Sequence, residues 1–284
     1  MKLLFDRTEN MHTSKRSWPV IVLMLVTCFQ PACHSSSSPD EKKAAPTDID
    51  PNAIVSETLS HFNARTFSCT VKIAKVYGNN VRFDDELRLY IKLDGQNGKV
   101  LMQVKPGGDR KGSAVLAEVK DKEIVSAYRY IPESKRVVEV NPRSSSLNVV
   151  IGGLSIQELR MFQGASPFEQ ITVSGKEEIN GQQCYKLDAT LIDKSQYERA
   201  ELFTTVAERL PLLMRVFNKE GSLAKIISID KLEQRATTWV VKQLTVEDKT
   251  FNYTSTFTFD NIQVDTEIPD HIFTVDYLKK GWQG

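Results

Sequence analysis

From Thr66 to the end, the chain repeatedly alternates apolar and polar residues with a period of two, and this constrains its fold more than any other feature. Leu87, Leu89, Ile91 and Leu93 alternate with Arg88, Tyr90 and Lys92. The clearest run is Phe251–Phe259, where Phe251, Tyr253, Ser255, Phe257 and Phe259 face one way and Asn252, Thr254, Thr256 and Thr258 the other. Successive side chains of a strand point to opposite faces, so such runs predict strands with one dry and one wet face. Further strands are expected at Lys99–Lys105, Ser113–Val119, Glu123–Tyr130 and Arg136–Val140. Turn signals stand between them at Asp94-Gly95, Asn97-Gly98 and Pro106-Gly107-Gly108. A second meander begins at Phe168, with Asn180-Gly181 and Lys219-Glu220-Gly221 as hairpin turns.

Two short helices interrupt this rhythm. Asp50-Pro51 supplies an N-cap carboxylate and a proline at the first helical position, and Val55, Leu59 and Phe62 follow on one face. Between the meanders, Ser155 and Glu158 stand at capping-box spacing, with Leu154 and Leu159 as a hydrophobic staple. Ile156, Leu159 and Phe162 make that helix's narrow apolar stripe, and Gly164 ends it. About ten antiparallel strands with two such helices predict a mainly β domain. Its single strongly curved antiparallel sheet either closes as a barrel or stays half open, with short helices over the concave face. Residues 48–284 show no composition shift and read as one domain.

The amino terminus reads differently. Lys15 and Arg16 precede an uncharged run from Trp18 to Phe29, with Ala32 and Cys33 after it. A basic start, a short apolar centre and a small residue before the cut describe a secretory signal peptide over residues 1–32, with Met11 as an alternative start. The run is too short to span a bilayer, which takes roughly 20 apolar residues. Gln30-Pro31-Ala32-Cys33 is a degenerate lipobox that makes Cys33 the expected lipidation site; the other reading is ordinary cleavage nearby and an incidental thiol. Residues 33–47, rich in serine, charge and proline, are the polar tether that would hold a domain off a membrane. Beyond them, Cys69 looks inward with Val71 and Ile73, whereas Cys184 looks outward, so a disulfide between them is not expected.

Enzymatic chemistry finds no constellation. Outside the leader and tether only His61 and His271 remain, in different elements and without metal-ligand spacing. Gly107-Gly108 and Gly152-Gly153 fit no phosphate-binding pattern, and Asp84-Asp85-Glu86 reads as a solvated strand edge. No catalytic residue, metal or cofactor is therefore assigned. Without residues 1–32 the chain carries 33 basic against 34 acidic residues, and no basic stripe offers nucleic acid a handle.

Several passages carry a family likeness. Val100–Val104 followed by Pro106–Leu116, and Tyr128–Val138, resemble the strand–proline–glycine passages of the LolA-like outer-membrane lipoprotein-sorting family. Leu210-Pro211-Leu212 through Gly221 is similar to its central hairpin, and Ile268–Phe273 through Leu278 to its closing segment. Gly152–Ile156 departs from the acidic-aromatic pattern of one branch, and the Cys33 tether is more like the receptor branch than the soluble carrier. The resemblance implies an unclosed half-barrel with helices over its mouth and an apolar cavity for lipid or lipoprotein acyl chains. Leu87, Leu89, Ile91, Phe257 and Phe259 are the candidate lining, and Ile156, Leu159 and Phe162 the candidate lid. It implies a periplasm-facing place in the envelope, anchored to the outer membrane, with a lipid or acylated lipoprotein as partner and an envelope transporter eligible as another. The alternative reading is a non-catalytic interaction or sensor domain with a closed core.

Overall fold

The computed structural model describes residues 49–282 apart from 96, 108–111, 122, 142–151, 155–157, 159–160, 162–165, 193 and 195–196. The predicted leader, Cys33, the tether and the lid residues Ile156, Leu159 and Phe162 lie outside the described residues.

Helix α1 (Pro51–Ser60) opens the described chain as its sequence predicts: the Asp50 carboxylate accepts the Asn52 backbone N–H at 2.9 Å, and Pro51 occupies the first turn. Then come β1 (Thr66–Tyr77), β2 (Arg82–Asp94), β3 (Asn97–Val104), β4 (Ala114–Lys120), β5 (Glu123–Ile131) and β6 (Arg136–Glu139). After a long connection follow β7 (Phe168–Ile179), β8 (Gln182–Leu191), β9 (Arg199–Thr205), β10 (Pro211–Phe217), β11 (Leu223–Arg235), β12 (Thr238–Asp248) and β13 (Tyr253–Val264). A 3-10 turn (Asp270–Phe273) and α2 (Val275–Leu278) close the chain.

All thirteen strands join one antiparallel sheet in the order β6-β5-β4-β3-β2-β1-β13-β12-β11-β10-β9-β8-β7. Each meander is locally connected, and β1 pairs with β13 to weld the two. The order runs round the molecule without closing, because β6 and β7 stand at its two ends. Free edges invite pairing with other chains, and this sheet blunts both. β6 is four residues long, and β7 carries exposed Glu169, Lys176 and Glu178 with a register shift between Val173 and Gly175.

The alternation sorts the two faces. On the concave face, residues from both meanders form one core that includes Val71, Ile73, Leu87, Leu89, Ile91, Val100, Met102, Leu187, Ile227, Leu244, Phe257 and Phe259. Helix α1 packs Ile54, Val55, Leu59 and Phe62 into it. The convex face of β3 and β4 is also dry, because Leu101, Ala114 and Leu116 meet Ile268, Ile272, Phe273 and Leu278 of the closing segment. Gln103 donates a buried hydrogen bond to the Gly281 carbonyl at 2.6 Å, and Arg88 stacks on Trp282 with 4.4 Å to the ring centre. The helices thus divide: α1 covers the concave face and α2 the opposite one.

Two strand-level expectations need correction. Phe251 does not begin the last strand: it lies in the β12–β13 turn, 69% exposed, and Asn252 takes φ +50° before pairing starts at Tyr253. The alternation extends by chance into a turn whose backbone is fixed by Asp248, which accepts the N–H groups of Thr250 and Phe251 at 3.0 and 2.9 Å. Cys184 does sit on the convex side of β8, yet it is fully buried there. Neither it nor Cys69 is bridged, and burial pushes both thiols up, away from the reactive thiolate.

Candidate functional site

The concave face of β11, β12, β13 and β1 can be followed rung by rung from one open end. The first rung holds Lys225, Asp248, Tyr253 and Tyr77. The second holds Ile227, Val246, Ser255 and Lys75, and the third Ile229, Leu244, Phe257 and Ile73. The interior is therefore polar at one end and apolar further in.

The polar end is tightly connected. Lys225, only 2% exposed, donates to both Glu158 carboxylate oxygens at 2.9 and 3.1 Å. Its Nζ lies 4.9 Å from the centre of the Tyr197 ring. Burial works against the charge on Lys225, but the Glu158 carboxylate, with smaller contributions from Tyr197 and Asp248, outweighs it and holds the ammonium above the ordinary lysine value. Burial, with the neighbouring Asp248 charge, pushes the Tyr253 phenol up. Lys75 stands over the Tyr253 ring at 3.6 Å. Ser255 is fully buried, and its hydroxyl has no hydrogen-bond partner among the described residues.

Backbone presses directly on this surface at Gly152-Gly153. A Cβ at Gly152 would stand 2.8 Å from both Ile73 Cγ2 and Phe257 Cζ; one at Gly153 would stand 3.0 Å from Tyr253 Oη and Val246 Cγ1. Both glycines also take positive φ, +56° and +102°, so the pair is required for conformation and for space. Leu154 follows, fully buried in the core.

Beside these rungs a cavity of about 50 Å³ opens between α1 and the concave face of β7–β11. Val55, Leu59, Met161, Leu187, Met214 and Ile227 are among its lining, and Glu158 reaches its wall. Pockets that hold drug-sized molecules run to about 300 Å³ or more, so this one is the size of a packing gap. Its roof, α1, packs Ile54, Val55, Leu59 and Phe62 into the core, and polar contacts join it to the sheet and its loops: Thr58 to Thr204 between hydroxyls at 3.0 Å, His61 Nε2 to the Glu208 carbonyl at 2.8 Å, the Trp239 N–H to the His61 carbonyl at 2.7 Å, and Glu57 to Arg209 at 3.4 Å. On the other face, a cleft of about 590 Å³ beside β1 and β2 is lined by Lys72, Arg82, Asp84, Glu86 and Lys105. Its charges pair off, Arg82 with Asp84 and Lys105 with Glu86, leaving no field of one sign.

Leu87, Leu89, Ile91, Phe257 and Phe259 are brought together on the concave face, all buried in the core, while the cavity lies toward β7–β11. Sequence reasoning missed Lys225, Asp248 and Tyr253 as a unit. The signal was present: Lys225 takes an inward position two residues before Ile227 and four before Ile229. Glu158, expected to close a capping box with Ser155, which lies outside the described residues, reaches across to Lys225. Among the described residues no group of three or more His, Cys, Asp or Glu is placed to hold a metal ion.

Solved structures share this architecture. A DUF1329 family protein from Desulfovibrio piger superposes with a TM-score of 0.69 at 17% identity, covering 81% of this chain and 100% of that one. A domain described as an outer membrane lipoprotein-sorting protein, from Vibrio parahaemolyticus, gives 0.65 at 16% identity over 79% and 97%. A LolA superfamily protein from Nitrosomonas europaea gives 0.63 at 16% identity over 81% and 99%. Among curated proteins no sequence match is found. A family model whose description reads "uncharacterized protein" matches residues 96–280, from β3 through α2 and so most of the chain. The chain belongs to that family, and its unclosed thirteen-stranded sheet has the fold of the LolA superfamily protein from Nitrosomonas europaea.

Proposed function

We propose that this protein is a cell-envelope lipoprotein that binds the acyl chains of a lipid or lipoprotein on the concave face of its half-barrel, in outer-membrane lipoprotein sorting or lipid transport. The observation that carries this reading is the apolar gap under α1, between a one-helix roof and a wall of five strands. An acyl chain gains about 0.8 kcal/mol for each CH₂ removed from water, so a gap that opens by lifting its roof is rewarded for doing so. Leu87, Leu89, Ile91, Phe257 and Phe259 lie further along the same core as Leu187 and Ile227, which line that gap, and are the surface toward which it would extend. A lid formed by Ile156, Leu159 and Phe162 belongs to the same proposal. Protein purified from its own envelope and extracted into organic solvent should release lipid near one equivalent, read by mass spectrometry. An extract without lipid would remove this reading and favour the second, an interaction or sensor domain with a closed core. That alternative draws on the small size of the gap and on Gly152–Leu154 already packed against the sheet.

The anchor is a separate claim with its own test. If Cys33 carries the lipid, as the degenerate lipobox and polar tether suggest, Cys33→Ala shifts the protein from the membrane fraction to the soluble one. Unchanged partitioning of that variant would leave a domain held to the envelope by something else.

A further inference from the structure

We infer that Lys225 is the seat for an anionic lipid headgroup, a single carboxylate or phosphate, and that Glu158 is a built-in substitute for it. The inference rests on the acyl-chain reading and adds the headgroup class to it. Three observations converge. Glu158 touches Lys225 and also lines the apolar cavity, so the two sites are continuous. Polarity along the concave face is graded as an amphiphile's is: charged and phenolic groups on the first rung, Ser255 and Lys75 on the second, hydrocarbon on the third. And a buried ion pair is seldom worth more to stability than apolar side chains of the same volume, so one set into a β-sheet core asks for another reason.

The chemistry of exchange is conservative. A ligand carboxylate replacing Glu158 on Lys225 leaves the local charge unchanged. The Ser255 hydroxyl, without a partner among the described residues, offers a donor one rung deeper, and Lys75 a second cation. Asp248 does not compete for Lys225 as a bidentate partner, because one of its oxygens already accepts the backbone N–H groups of Thr250 and Phe251. A neutral headgroup would break the Lys225–Glu158 pair and return nothing for it, which makes the site selective.

The test compares palmitic acid carrying a fluorophore near its methyl end with the methyl ester of the same probe. Wild-type protein should prefer the acid about tenfold, the scale of one charge-assisted hydrogen bond. Glu158→Gln removes the competing charge and should tighten acid binding about tenfold again, with a smaller gain for the ester, which no longer has an ion pair to break but still brings no charge to Lys225. A Lys225→Met/Glu158→Met double variant, which buries no lone charge, should bind both probes equally. Circular dichroism and thermal melts of each variant establish that it is folded. Persistence of the acid preference in the folded double variant would overturn the inference while leaving the acyl-chain reading intact. Failure of both probes to bind every folded protein would remove the acyl-chain reading, and this inference with it. Inorganic phosphate at millimolar concentration should not displace the acid probe; displacement would mean that the site reads a free anion and not a lipid headgroup.

Discussion

Phe257→Ala lowers the stability of the folded domain by about 3–5 kcal/mol, measured as a shift in the midpoint of urea unfolding at constant slope. Phe257 is 2% exposed and stands on the third rung, paired with Leu244 of β12 and Ile73 of β1. It therefore sits at the weld between the two meanders, where loss of volume cannot be absorbed by a mobile edge. Its ring also meets the connection between β6 and β7: Phe257 Cζ lies 2.8 Å from where a Cβ on Gly152 would be. Truncation removes contacts in two directions, toward the sheet and toward the Gly152-Gly153 backbone. The neighbouring Thr256→Ala, on the wet face, should cost no more than about 0.5 kcal/mol. A loss under about 1 kcal/mol for Phe257→Ala would mean that the ring lines an open trough and not a packed core.

The elements that a single period announces were legible in the sequence, and those that depend on a distant partner were not. Leu87–Leu93 sits inside β2 with its apolar side on the core, because alternation alone fixes the face on which each side chain lies. Asp50-Pro51 opened α1 because a cap and a fixed φ are local chemistry. Phe251 misled because a turn residue can match a period without joining the ladder, and only the hydrogen bonds of Asp248 show where pairing stops. The pairing of β1 with β13 joins residues about two hundred positions apart, and no local pattern encodes it. The same holds for the site. Glu158 read as a capping residue, since its natural partner in sequence is Ser155, three residues away. Its partner across the fold, Lys225, becomes visible only when β11 is threaded into the sheet with its alternation intact and a lysine falls on the dry side.

That lysine carries the other large effect. Lys225→Met leaves two buried carboxylates, Glu158 and Asp248, at the polar end without their shared cation, and should destabilise the domain by about 3–5 kcal/mol. Lys225→Met/Glu158→Met removes one of the two stranded charges as well, and Asp248 keeps its bonds to Thr250 and Phe251. Apolar side chains of matched volume often replace a buried pair at little cost, so the double variant should recover to within about 1 kcal/mol of wild type. The recovery is the diagnostic quantity. If both variants lose the same amount, Lys225 contributes through its packed methylene stem and not through its charge. The pH dependence supplies an independent sign. The Lys225 ammonium is held above its ordinary value of 10.5, so the folded state keeps its proton where the unfolded chain begins to lose it. Its contribution is therefore complete below about pH 10 and is lost as pH climbs through the raised folded-state value. Wild-type stability should fall across that alkaline window more steeply than that of the double variant, the difference between them reporting the Lys225 proton together with the change its removal makes at the neighbouring Tyr197 phenol. Parallel curves would show that Lys225 titrates as it does in the unfolded chain, which the geometry of a 2%-exposed ammonium held by both oxygens of Glu158 forbids.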